Sequence, residues 1–157
     1  MGLDMYLYKE TYVQQWPHQL EEDAFKITIT KGGKPFVQIK PERITTIKEE
    51  VGYWRKANAV HNWFVDNVQD GNDDCKHYWV SKEDLQKLLD VVNKALKNPS
   101  TAHEYLPTVR GFFFGSQDYD EYYFEDLRYT KKMLTELLNE LLKEDTQYTD
   151  IYYKSSW

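Results

Sequence analysis

The run from Glu49 to Asp70, EEVGYWRKANAVHNWFVDNVQD, constrains the fold more than any other stretch of the chain. Tyr53, Ala57, Val60, Phe64 and Val68 recur at spacings of four and three, the period of one helix face. The spacing predicts a central helix from about Thr46 to Asp70, with that stripe turned to the core. Trp54, Arg55, Asn58, His61 and Asn62 would then share one continuous patch beside it. An ordinary solvated face carries Glu and Lys pairs, which favour helix and hydrate freely. Asn competes for the backbone, so two Asn and a His in mid-helix need a reason. One reason is a buried polar network that locks the helix to its neighbours. The other is the floor of a ligand or partner site.

A length of 157 residues points to one domain over 1–157. Aromatic content is 16%, with 13 Tyr and 5 Trp, residues suited to half-buried surfaces and interfaces. The net charge of -6 argues against nonspecific nucleic-acid binding and against anionic membranes, while leaving room for a basic protein partner. Cys75 is the single cysteine, so no intrachain disulfide is expected, which fits a reducing, cytoplasmic setting. No apolar run is long enough to span a membrane, and the start MGLDMYLYKE reads as neither a signal peptide nor a myristoylation site.

Along the chain, Leu3, Met5 and Leu7 alternate with Asp4, Tyr6 and Tyr8 as in a strand. Residues 11–23, with Trp16-Pro17-His18, read as loop. Phe25–Thr30 and Pro35–Ile39 flank Gly32-Gly33 and predict a hairpin. Its basic tip lacks the spacing of a phosphate loop. The turn after the central helix fails the calcium-loop pattern in both frames tested, and Cys75 with His77 is not a zinc signature. No metal or cofactor is therefore expected. Cys75–Val80 reads as a strand. Ser81 with Asp84 caps a helix marked by Leu85, Leu88, Leu89, Val92 and Leu96.

The Gly111–Ser116 run, GFFFGS, suggests a buried strand or a backbone threaded against the core. Asp118 with Glu121 then suits a helix start, and Phe124, Leu127, Leu134, Leu137, Leu138, Leu141 and Leu142 form the apolar side of a third helix. From Gln117 to Asp145 there are nine acids against four bases. Asp118, Tyr119, Asp120, Glu121, Glu125 and Asp126 are accordingly the candidate partner-binding group; capping and solvation are the plainer account of the same charges. Asp150–Lys154 predicts a last strand, with Trp157 docked behind it. The order implies an α+β fold, a mostly antiparallel sheet with three amphipathic helices packed on it. The Phe-rich segment and the acidic turn after it are expected to stand opposite the central helix.

Four blocks, MGLDMYL, EVGYWRKANAVHNWFVDNVQDG, GFFFGSQDYDEYYFEDL and YYKSSW, resemble a family of small uncharacterised proteins of bacteriophages, prophages and bacterial genomes. The resemblance spans nearly the whole chain and implies a cytosolic protein of mobile-element type. It brings no catalytic residues with it. Three functions follow from the residues and this setting. The first is a non-enzymatic, phage-type binding protein acting on a host factor, such as a defence system, through the acidic group. The second is a nucleotide or signalling-nucleotide binder, with Tyr53 or Trp54 stacking a base, Arg55 or Lys56 on phosphate, and Asn58 and Asn62 on polar edges. The third is a hydrolase in which His61 is general base beside Asp4 or Asp120. The sequence contains no recognised catalytic motif, which weighs against an enzyme. It leaves self-association open.

Overall fold

The computed structural model describes residues 2–111, 113–143 and 147–157. Strand β1 (Asp4–Tyr12) is followed by a long excursion that carries the short pair β2 (Thr30–Lys31) and β3 (Lys34–Pro35). Then come β4 (Thr46–Arg55), α1 (Asn58–Asn67), β5 (Tyr78–Val80), α2 (Lys82–Lys97), α3 (Ala102–Tyr105), α4 (Glu121–Lys143) and β6 (Thr149–Ser156). The main sheet runs β4-β1-β6-β5, every neighbour antiparallel. The fold is α+β, as the order of patterns implies. Among the described residues no helix is long and apolar enough to cross a membrane.

Alternation along β1 sets the two faces of the sheet. Leu3, Met5 and Leu7 are fully buried and meet Phe64 of α1, Leu85 and Leu88 of α2, and Leu127 and Leu134 of α4 in one core. Tyr6 and Tyr8 point the other way and stack on each other, with Tyr53 against Tyr6 and His77 against Tyr8. This aromatic row accounts for part of the high Tyr content. It gives the second face apolar area with hydrogen-bonding tips at the water boundary.

The central helix expected over 46–70 is strand in its first half. Residues 46–55 pair with β1 from Tyr12↔Thr46 to Asp4↔Arg55, with a bulge opposite Leu7 and Tyr8. Pairing with β1 along the strand and burial of Trp54 near its end outweigh the local helical period, as context routinely does for β-branched and aromatic runs. Gly52 and Trp54 face the core, while Tyr53 is 38% exposed and so leaves the expected core stripe. Lys56 ends the strand in left-handed backbone (φ 61), with its N–H donating to the Leu3 carbonyl at 2.7 Å. The helix starts only at Asn58.

Other boundaries move as well. The predicted hairpin arms shrink to two residues each around Gly32 (φ 59) and Gly33 (φ 76), the double left-handed turn that a Gly-Gly pair supplies. Cys75 sits in left-handed backbone (φ 59), and the strand begins at Tyr78 instead. Phe113 and Phe114 lie in a turn and not in a strand, of the two alternatives of a buried strand or a backbone threaded against the core: Phe114 N–H donates to Gly111 O, and Phe113 O accepts from Leu3 N–H of the β1 start. Phe112, and Glu144 and Asp145 of the acidic count, lie outside the described residues. Leu142 is 81% exposed and does not belong to the apolar side of α4. Trp157 is 46% exposed, tethered by its indole N–H to Asp73 at 3.0 Å.

The start of α2 follows the sequence closely. The Ser81 hydroxyl accepts from Asp84 N–H at 3.0 Å and donates to the Asp84 carboxylate at 2.7 Å. Replacing Ser81 with Ala removes that cap, and about 1 kcal/mol of stability is expected to go with it. Urea unfolding followed by circular dichroism measures the loss as a lower midpoint at unchanged slope.

Candidate functional site

The turn from β4 into α1 builds one wall of a cleft of about 320 Å³. Lys56 in its left-handed conformation swings the chain off the sheet, so Arg55, Lys56 and Asn58 all reach this wall. Asn58 is buried, and its amide is spent on structure. Its Nδ2 donates to Phe114 O at 3.0 Å and Ser116 O at 2.8 Å, while its Oδ1 accepts from Val109 N–H at 3.0 Å. One side chain thereby clamps the Phe-rich turn and the 108–110 strip against the start of α1. Gly115 (φ 84) lets the chain pass there, since a Cβ would stand 3.1 Å from Lys56 Cβ.

The opposite wall is acidic. Asp118, Asp120, Glu125 and Asp126 line it, with Tyr122 at the rim. Two of these acids have local duties. Asp118 closes a turn with the Ser116 hydroxyl at 3.0 Å, and Asp120 caps α4 by accepting from Tyr123 N–H at 3.1 Å. Asp120, and not Asp118, is thus the acid that caps this helix. The Asp126 carboxylate is half-buried, and no hydrogen bond to it is found among the described residues. Burial pushes its pKa up to about 6, and the charges of Glu125 and Asp120 add to the shift. It is ionised at neutral pH at a cost, and a bound cation would relieve that cost. Tyr123, just beneath, is buried with its hydroxyl donating to Leu106 O at 2.8 Å, and burial raises its pKa.

The five residues of the expected central patch do not share a surface. Trp54 is buried, donating its indole N–H to Thr130 Oγ1 at 2.8 Å, so it ties β4 to α4. Arg55 is exposed and pairs with Asp4 at 3.1 Å. Asn62 is half-buried and donates to Asp66 at 2.9 Å. Only Arg55 and Asn58 of the five reach the cleft. Of the acidic group, Tyr119 and Glu121 lie outside its lining. Tyr119 Oη accepts from Thr108 N–H, and Glu121 pairs with Arg128.

His61 is fully buried in a network of its own. Its Nδ1 lies 2.7 Å from Tyr153 Oη and its Nε2 lies 3.0 Å from Asp73 Oδ2. A carboxylate only accepts, so Nε2 carries the proton and Nδ1 accepts from the phenol. Burial and the Asp73 charge hold Tyr153 well above its ordinary pKa, which keeps it the donor. Asp73 also receives the Trp157 indole N–H, and Phe114 packs edge-on to the imidazole. Asp4 and Asp120 take no part: the first accepts from Tyr53 Oη, the second caps α4. The imidazole therefore joins α1, β6, the loop after α1 and the C-terminal Trp, which is the locking role.

Sequence reasoning named Lys56 only as an alternative to Arg55 on a phosphate, and it missed Tyr122 in the cleft and Asp73 and Tyr153 around His61. The positive φ of Lys56 has no sequence signal, while the i and i+3 spacing of Tyr122 and Glu125 on α4 could have offered one. Among the described residues no group of three or more His, Cys, Asp or Glu is placed to hold a metal ion.

Two measurements check this account. Tyr153→Phe leaves His61 Nδ1 buried without a donor and is expected to cost about 1–3 kcal/mol in chemical unfolding. Asp126→Asn works in the opposite sense. The folded pKa is raised, so the wild-type carboxyl favours folding below its unfolded pKa and loses that advantage as pH rises through about 6. The Asn variant is expected to be more stable at pH 7.5 by about 1 kcal/mol, allowing for solvent screening, and to match the wild type near pH 3.5. Thermal unfolding at the two pH values reads the difference. Comparison of the chain with family models, curated proteins and solved structures gave no match.

Proposed function

We propose that this protein is a non-enzymatic binding protein of phage type. It works in the cytoplasm and takes a basic segment of a host protein into the cleft between the α1 start and the α4 start. A component of host defence is the class of target that the family resemblance favours. The observation that carries the binding mode is the Asp126 carboxyl, half-buried in an open cleft, its pKa raised to about 6, with Glu125 and Asp120 beside it. A Lys or Arg side chain entering the cleft would supply the missing counter-charge. Tyr122, 77% exposed at the rim, offers the aromatic contact that commonly anchors such an interface.

The nucleotide reading draws less support from the same geometry. Trp54 is enclosed and cannot stack a base, and the Asn58 amide is already committed to three backbone partners. Four carboxylates against Arg55 and Lys56 repel a phosphate. A hydrolytic role for His61 would need its ring to reach solvent, and it is 0% exposed.

A fluorescein-labelled Lys/Arg-rich peptide serves as the probe in anisotropy titrations. Binding is expected to weaken with salt and to be about tenfold weaker at pH 5 than at pH 7.5, because the bound state needs Asp126 ionised. Asp126→Lys with Glu125→Lys is expected to abolish it and to remove the partner captured from host lysate. Equal binding by wild type and the charge-reversed variant would sink the proposal.

A further inference from the structure

The far end of the sheet carries a second cleft, of about 240 Å³, that no residue of the acidic cleft touches. Its lining holds five aromatic rings, Tyr12, Trp16, His18, Phe25 and Tyr148, and two glutamines. Four of the rings stand well out of the core: Tyr12 is 38%, Phe25 42%, Trp16 48% and Tyr148 52% exposed. Scattered exposed aromatics are ordinary, but several around one hollow are the mark of a site.

The hollow is held open by hydrogen bonds. Tyr12 N–H donates to Tyr148 O at 2.8 Å, which sets the end of β1 beside the start of β6. Gln19 N–H donates to Trp16 O at 3.0 Å, and Gln19 Oε1 accepts from Trp16 N–H at 3.3 Å, closing the loop on itself. Gln19 Nε2 donates onward to Asp23 O at 2.9 Å, and Gln14 Oε1 accepts from Tyr12 Oη. The Gln19 amide is thus spent on both sides in shaping the loop. What faces a ligand is chiefly aromatic.

Charge selects the ligand. The stretch Gln19–Lys26 holds Glu21, Glu22 and Asp23 against one base, Lys26. The three acids form an exposed turn that Gln19 ties to the cleft. Aromatic faces attract cations through their quadrupole, and weakly hydrated alkylated ammonium groups profit most because they lose little solvation on entry. The neighbouring acidic turn, though outside the lining, adds long-range attraction for a cation and repels phosphate, which turns the stacked-base reading of such rings away.

We propose that this aromatic cleft is a binding site for an alkylated ammonium group, whether on a free small molecule or on a methylated lysine. Isothermal titration of the full chain tests it with three probes: choline, an Nε-trimethyl-lysine peptide, and 3,3-dimethylbutanol, the uncharged isostere of choline. One of the two cations is expected to bind, and whichever does identifies the source. The neutral isostere is expected to bind at least about tenfold more weakly, because it lacks the cation–π attraction. Trp16→Leu should abolish the heat of binding while Trp16→Phe retains most of it, and both should keep the wild-type circular dichroism because the ring is exposed. Changing Glu21, Glu22 and Asp23 together to their amides should weaken binding several-fold at low salt only. Equal affinity for the isostere, indifference to Trp16→Leu, or no heat with either cation overturns the proposal.

Discussion

The pairing of β4 with β1 is the interaction on which the rest depends. It is non-local, joining residues 46–55 to residues 4–12, and it decides where the strand stops and the helix starts. The Leu3 carbonyl takes the Lys56 N–H as the last rung, and the Asn58 N–H then bonds to Lys56 O as the chain turns. Were the pairing shifted by one residue, Gly52 and Trp54 would face water and Tyr53 and Arg55 the core. The Trp54–Thr130 bond, the Asn58 clamp and the cleft beyond them would all be lost together. Burial of Trp54 on the inner face favours that register over a one-residue slip, which would expose it.

Polar groups inside the fold are divided between locking and waiting. Asn58 and His61 are enclosed, and each makes hydrogen bonds through both ends of its side chain. Such satisfied networks rigidify a core and define a single arrangement of elements. Asp126 is different: it is shielded enough to shift its pKa, yet among the described residues no side chain or backbone N–H donates to its carboxylate. A shielded carboxylate without a partner is a local cost to stability, and such costs concentrate where a ligand offsets them.

Two clefts lie at opposite ends of β1. Asp4 pairs with Arg55 at the acidic one, and Tyr12 lines the aromatic one, roughly 27 Å away along a nine-residue strand. The first is lined by carboxylates and the second by aromatic rings beside an exposed acidic turn. This agrees with the net charge of -6 and with the exposure of so many Tyr and Trp side chains.

The sequence by itself determined the α+β class, the inward alternation of Leu3, Met5 and Leu7, the Gly-Gly turn, and the capped start and apolar stripe of α2. Each rests on local chemistry: side-chain period, backbone freedom, or a hydroxyl three residues from an amide. It expected the Phe-rich segment and the acidic turn opposite a central helix over 46–70; the Asn58 bonds and the cleft lining bring them only to the turn from β4 into α1. Tertiary structure alone decided that 46–55 is strand, that Trp54 is enclosed, that His61 meets Tyr153 and Asp73, and that Tyr12 and Tyr148 border one hollow. The physical reason is range. A period of 3.6 can be read within one segment, but a strand's partner, a histidine's hydrogen bonds and a carboxylate's shielding come from distant residues, as far as Ser156 is from its partner Asp4.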